Sequence, residues 1–385
     1  MLSVYISDRG TYPIASRYVE SVIKKVAAES ERIKICDLFS YSPAFWSYWV
    51  HPAPNVHQLV LGGGNAVNVN PFGAKLTQLR SITSLSCGLW PLGESQHLTS
   101  AQIRNDDRPI LLNTFLDAFR GCETLESLIL HGFNTLLPSD APPAVLSLPN
   151  LQRLHLFSCD STVLLGHIKF VSLSEPLMIF NSIPYQDILR SIPQSYHSAA
   201  FLQNLGKLQV ALNARRSQYS VAAYRNDGRL ALYIGVSGVA HWLRWGWIRA
   251  SLDAVARFRP FSTVDALSFA TDSLVTSWDT WLVNLPNLEY LNVTCPKPDG
   301  LLQALLIPDT KTRLHVCRAL RILALHRCEQ RTLINYVDLK RLVLSRWAAR
   351  SPLEQIILHE DEWAYMRYLD TSWIDLVGSQ SMPKL

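Results

Sequence analysis

Histidine is the residue whose placement most invites chemistry. His131, His326 and His359 each follow the last apolar residue of a short leucine-rich phrase, and His155 lies between Leu154 and Leu156. An imidazole titrates near neutrality and ligates metals. If His326 and His359 lie on neighbouring strands ~4.8 Å apart, Glu360 and Asp361 would complete a metal-ligating set. A polar surface is the ordinary product of such spacing, and it is the reading adopted, with no metal site.

Other candidates lose their chemistry on inspection. Gly62-Gly63-Gly64 lacks the Gly-Lys-Ser/Thr ending or spaced glycine of a phosphate loop; it reads as a tight turn. Gly235-Val236-Ser237-Gly238 is not Gly-x-Ser-x-Gly, so no nucleophile elbow is expected. Asn292-Val293-Thr294 matches the glycosylation triplet but falls inside an apolar core phrase. No Cys-x-x-Cys pair suggests zinc. The chain is therefore expected to have no catalytic residue, no bound cofactor and no enzymatic activity.

The elements that would position these histidines are repeats. Leu151-xx-Leu154-x-Leu156-xx-Cys159 returns as Leu125-xx-Leu128-x-Leu130, Leu288-xx-Leu291-x-Val293, Leu320-xx-Leu323-x-Leu325-xx-Cys328 and Leu353-xx-Ile356-x-Leu358. A frame of this kind recurring every ~20–29 residues marks a leucine-rich repeat, whose short strands must stack to bury their apolar faces. Weaker copies are Val56-xx-Leu59-x-Leu61, Leu79-xx-Ile82-x-Ser84, Ile168-xx-Val171-x-Leu173, Leu205-xx-Leu208-x-Val210 and Val264-xx-Leu267-x-Phe269. Ile82-xx-Leu85 competes for the second register. Ile33-Lys34-Ile35 and Leu230-x-Leu232-x-Ile234 supply further strands. The long gaps between positions 85 and 128 and between 173 and 208 read as insertions or degenerate copies.

Alternation along a strand turns Leu154 and Leu156 inward and Arg153, His155 and Phe157 outward. Helical spacing separates the strands at Val19–Val26, at Leu111–Phe119 before Gly121, and at Trp242–Phe258. The expected fold is an α/β, irregular leucine-rich-repeat solenoid, with a parallel concave sheet and helices on the convex side. One domain is expected over 1–385: a helical cap at 1–30, repeats at 31–360 and a C-terminal cap at 361–385.

Composition excludes several classes. The chain is 48% hydrophobic and 17% charged, which argues against disorder. Its net charge of +5 is spread out, with Arg215-Arg216 a notable doublet away from the N-terminus, so no nucleic-acid partner is expected. No secretory segment follows Met1, and the uncharged run Leu230–Leu243 is shorter than the ~20 residues a bilayer requires, so no membrane partner is expected either. Eleven tryptophans could mark an interface at an exposed edge and are assigned chiefly to convex-side packing. Of seven cysteines, Cys159 and Cys328 fall three residues after the last core leucine, where a buried thiol serves the turn between repeats. Reduced thiols and a cytoplasmic or nuclear location follow as expectations.

The cysteine-bearing phrases at 151–159 and 320–328, the Pro-Asn-Leu openings at 149–151 and 286–288, and Glu29-Ser30-Glu31-Arg32-Ile33 together resemble the leucine-rich-repeat F-box proteins of mushroom-forming fungi. The resemblance implies an intracellular substrate-recognition module. No Leu-Pro-x-Glu-like phrase precedes position 31, and Ser42-Pro43-Ala44-Phe45-Trp46 only echoes an F-box tail, so it covers the repeat region alone. The chain is expected to be a truncated product or a member that lost its adaptor-binding end.

Two functions are carried forward. One is a non-enzymatic protein-interaction module with an unknown protein ligand on its concave face. The alternative is the substrate receptor of an SCF-type ubiquitin ligase, with a degenerate or missing F-box and a Skp-type adaptor. The residues expected to meet the partner are Ile129, His131, Arg153, His155, Phe157, Tyr290, Asn292, Ile322, His326, Ile357 and His359.

Overall fold

A computed structural model of the chain describes residues 2–8, 17–63, 71–74, 76–85, 92, 95–105, 110–133, 135–136, 145–159, 161–171, 173–181, 192, 196, 199–213, 218–237, 255, 258–272, 275, 278–306, 316–327, 334–358 and 376–377. The fold is mixed α/β, dominated by parallel strands, and divides into two compact units, Met1–Phe180 and Asn181–Leu385.

In the first unit, parallel strands follow one another in chain order. They are β1 (Leu2–Asp8), β2 (Ile33–Ser40), β3 (Gln58–Gly62), β4 (Ser81–Leu85) and β5 (Ser100–Arg104). The series continues past the short β6 (Ile110–Leu111) with β7 (Ser127–His131). Past the short β8 (Thr135–Leu136) and β9 (Leu146–Ser147) comes β10 (Arg153–Phe157), and past the short β11 (Ile168–Lys169) comes β12 (Leu177–Asn181). The short strands pair separately, β6 with β8 and β9 with β11.

β4, β7 and β10 bury alternate residues. Ile82 and Ser84, Leu128 and Leu130, and Leu154 and Leu156 are at most 1% exposed, whereas the residues between them are half-buried. The Ile82–Ser84 register therefore prevails over its competitor.

Neighbouring strands are joined just before they begin. His57 N–H donates to Lys34 O, Arg80 to His57, Thr99 to Arg80, Glu126 to Thr99 and Gln152 to Glu126, all at 2.8–2.9 Å. The Pro-Asn openings reinforce this ladder. Asn55 Nδ2 donates to Glu31 O at 2.7 Å, and Asn150 Nδ2 to Glu123 O at 2.9 Å. In the second unit Asn287 Nδ2 donates to Ser262 O, also at 2.9 Å. An amide at that position satisfies a carbonyl that would otherwise face only the turn.

The second unit departs from an all-parallel arrangement. β13 (Leu205–Asn213), β14 (Gln218–Arg225) and β15 (Leu230–Ser237) form an antiparallel meander. Asn226-Asp227-Gly228 closes the β14–β15 hairpin, with Gly228 at φ +81°, where glycine is favoured. β13 also pairs in parallel with β16 (Ala266–Thr271), followed in order by β17 (Tyr290–Cys295), β18 (Ile322–Arg327) and β19 (Gln355–Leu358).

Several sequence expectations are corrected. Residues 2–8, expected within a helical segment, form a strand, because Leu-Ser-Val-Tyr-Ile-Ser alternates with period two. Ile35 is 40% exposed; the buried frame in that strand is Ile33, Cys36 and Leu38. Ile168-xx-Val171-x-Leu173 is not a core strand. Val171 is 72% exposed, and Leu177 and Ile179 of β12 take the buried places. The region 85–128 holds β5, with Leu98, Ala101 and Ile103 buried. The helices at Arg17–Ala28 and Leu112–Ala118 stand where spacing predicted them, the second running on toward Gly121 at φ +88°. The proposed helix at 242–258 lies almost wholly outside the described residues.

Aromatic side chains fill the layer beneath the sheets. Phe45, Trp49 and Phe72 pack in the first unit, with Trp49 5.7 Å from Phe72. Phe269, Trp278 and Trp281 pack within 5.5 Å of one another in the second. Fully burying one such ring is worth roughly 1.5–3 kcal/mol, and these two three-ring clusters take up Trp49, Trp278 and Trp281. Among the described tryptophans Trp347 is the exception, at 56% exposure.

Candidate interaction surface

The sheet face turned away from the core carries ten of the eleven residues singled out above. They fall into two groups, one in each unit. Because all strands of a group run parallel, their outward residues line up in rows across the strands.

In the first unit, one row consists of Arg104, His131, Phe157 and Phe180, from β5, β7, β10 and β12. The His131 and Phe157 rings lie 4.4 Å apart with planes 7° from parallel, and Phe157 and Phe180 lie 5.1 Å apart, again at 7°. Strand spacing produces this stack, since side chains in register one strand apart fall at the stacking distance of flat rings. A second row runs Gln102, Ile129, His155, Met178. His155 meets Phe157 edge-on at 6.1 Å. A third runs Ser81, Ser100, Ser127, Arg153. Arg153 Nε and Nη2 both donate to the Glu175 carboxylate, fixing the guanidinium at the lip of the face.

Electrostatics follow from half-burial. Desolvation pushes the His131 imidazole below its ordinary value, and Arg104 pushes it further. Desolvation likewise lowers His155, with Arg153 and His131 adding to the shift and Glu175 opposing it. Both rings are thus held toward the neutral form, and each can donate or accept a hydrogen bond at neutral pH. Arg153, in turn, holds the Glu175 carboxyl below the usual glutamate value.

In the second unit, Tyr290 lies between Ala266 and Ile322, and Asn292 between Ser268 and Ala324. Ile357 aligns with Ala324, and His326 with Thr294. These residues are half-buried except Ala324, at 1% exposure. Asn292 Oδ1 is shielded from solvent without a hydrogen-bond partner. On β13, Lys207 Nζ sits 5.7 Å from the Tyr224 ring, and Tyr224 OH donates to Gln209 Oε1 at 3.0 Å. His359, Glu360 and Asp361 lie outside the described residues, as does Cys328.

Phe180 and Met178 belong to the first group but were missed. They follow a four-residue step from Leu173 to Leu177 where the repeat frame has three, so the frame passed over their strand. Tyr224 was missed because β14 carries no leucine frame at all.

Cys159 is buried, its Sγ 3.2 Å from Phe157 O and 3.5 Å from Leu130 O. That is the turn-serving position expected of it. Cys36, Cys122, Cys159, Cys295 and Cys317 are buried, and burial pushes Cys36, Cys122 and Cys317 up to about 12. Among the described residues no cluster of three His, Cys, Asp or Glu side chains could hold a metal ion, and no helix is long and apolar enough to cross a membrane.

No protein-family model matches the chain, and no curated protein matches it significantly.

Proposed function

We propose that this chain is a protein-interaction module without enzymatic activity, an irregular leucine-rich-repeat solenoid that binds a protein on its concave sheet face. The observation that carries this reading is the Arg104–His131–Phe157–Phe180 row with Ile129, His155 and Met178 beside it. Half-exposed rings and aliphatic groups lie among donors already oriented by cross-strand neighbours. Apolar anchors with a polar surround are the usual composition of a binding hot spot. Side chains stiffened by stacking also lose less entropy when a partner docks. Tyr290, Asn292, Ile322, His326 and Ile357 are proposed to contribute a second contact area, and His359 to extend it. The resemblance to F-box receptors supports a cytoplasmic or nuclear setting and a role in selecting substrates.

Affinity capture from cell extract tests this. The intact chain is compared with Phe157→Ala plus Tyr290→Ala, both side chains being half-exposed, so the variant is expected to keep its fold by thermal melt. At least a tenfold loss of specifically captured protein is expected, since a hot-spot ring contributes ~2 kcal/mol or more. Equal recovery from both would reject this face as the binding surface. A Skp-type adaptor recovered stoichiometrically with the intact chain would select the ubiquitin-ligase receptor over the free-standing module.

A further inference from the structure

β1 ends the sheet of the first unit. It pairs with β2 on one side, and among the described residues no strand lies on its other. The core-facing residues show the same boundary. Cys36 and Leu38 of β2 are fully buried, whereas their β1 neighbours Val4 and Ile6 are only half-buried. On the opposite face Tyr5 is 66% exposed. Half of the strand's backbone N–H and C=O groups point along this edge, ready to pair with another strand. Proteins commonly protect such an edge with lysine, proline or a shortened strand, and none of these occurs in the seven residues Leu2–Asp8.

The sequence of the edge narrows its partner. Ser3-Val4-Tyr5-Ile6-Ser7 reads alike in both directions by residue type. A twofold axis through Tyr5 would therefore set Ser3 against Ser7, Val4 against Ile6, and Tyr5 against itself. Every pair would keep its face, with Val4 and Ile6 toward the two cores and Ser3, Tyr5 and Ser7 toward solvent. Isologous contacts demand self-complementarity of this kind. An unrelated strand would have no reason to find this symmetry.

We propose that β1 pairs antiparallel with the β1 of a second copy of this chain, about a twofold axis through Tyr5, joining two molecules edge to edge. The contact is one strand long and lies below the roughly 1,200–2,000 Å² of standard interfaces, so the dimer dissociates reversibly. It uses no residue assigned to partner binding, although Tyr5 projects from the same sheet face as Ile129 and His155, several strands away.

Sedimentation of the full chain over roughly 5–200 µM, where small interfaces dissociate, is expected to show the mass rising from monomer toward dimer. Ser3→Lys plus Ser7→Lys places lysines against lysines across the axis on solvent-facing positions and is expected to give monomer throughout. Ser3→Glu plus Ser7→Glu does the same, and mixing the two variants is expected to restore a dimer, because each lysine then meets a glutamate. Tyr5→Cys supplies an independent readout. Opposed residues in an antiparallel pair have Cα atoms about 4.5–5.5 Å apart, within the range a disulfide spans. Mild oxidation is expected to link that variant covalently, while wild type and Val171→Cys stay unlinked. A wild-type chain that remains monomeric with no Tyr5→Cys product above these controls would overturn the proposal. So would a dimer that survives the lysine pair.

Discussion

His131 and His155 owe their properties to neighbours one strand away. Each is half-buried by rings and aliphatic groups, and each has an arginine close by, so the neutral form is favoured in the folded chain. The sign of the pH effect follows. A histidine whose folded pKa lies below its unfolded value of about 6.5 leaves the unfolded chain binding more protons as pH falls. The stability present above that value is lost as pH drops through the folded pKa. Glu175 acts in a separate window, because Arg153 holds it ionised and its contribution persists until pH falls below the ordinary carboxylate range. Thermal melts from pH 7.5 to 5 are therefore expected to show a falling Tm for wild type. The slope should be shallower for His131→Phe plus His155→Gln. Identical slopes would mean that these rings are not desolvated. At this scale much of the surface could be read from sequence, since alternation alone decides which side chain faces outward. The stacking of His131 on Phe157 could not, because it depends on the register between strands 26 residues apart in their pairing (Leu128 against Leu154).

Most strands on the leucine frame were legible, and β1, β5, β12 and β14, which depart from it, were not. β5 was hidden because Ala101 stands where the frame expects leucine, although Ala101 is fully buried and in register with Ile82 and Leu128. The antiparallel meander was only partly seen, for a strand's direction leaves no mark in its own alternation. The helix Tyr336–Ala348 did leave a signal, Asn335 followed three residues later by Asp338. Asn335 Oδ1 caps it by accepting from Val337 N–H at 3.1 Å and Asp338 N–H at 3.4 Å.

The same helix carries Arg346, which is fully buried. Its guanidinium donates to the carbonyls of Val316, Cys317, Arg318, Leu320 and Ser351 at 2.9–3.4 Å. One side chain thus ties the helix to the turn that precedes β18. Desolvation lowers its pKa, yet five carbonyl acceptors stabilise the charge. Arg346→Met keeps the approximate volume and removes every donor, so it is expected to cost on the order of 3 kcal/mol in urea denaturation. Arg346→Lys should recover only a part, since an ammonium cannot reach all five oxygens. A methionine variant as stable as wild type would show that the carbonyls find other partners.

For the whole molecule, the parallel order of strands in each unit is what converts a linear repeat into a surface. Residues about two dozen positions apart come into register, and the outward ones gather into rows of rings, small polar groups and paired charges. In the proposed reading, those rows receive another protein. That recognition is the central claim, and site-specific photocrosslinking tests it most directly. A photoreactive residue is placed at Ile129 or His155, on the outward face, and in parallel at Val171 or Val283, which are exposed elsewhere. A discrete protein adduct is expected from Ile129 and His155, competed by excess unlabelled chain, and only background from Val171 and Val283. Adducts confined to Val171 or Val283, with none from the outward face, would contradict it.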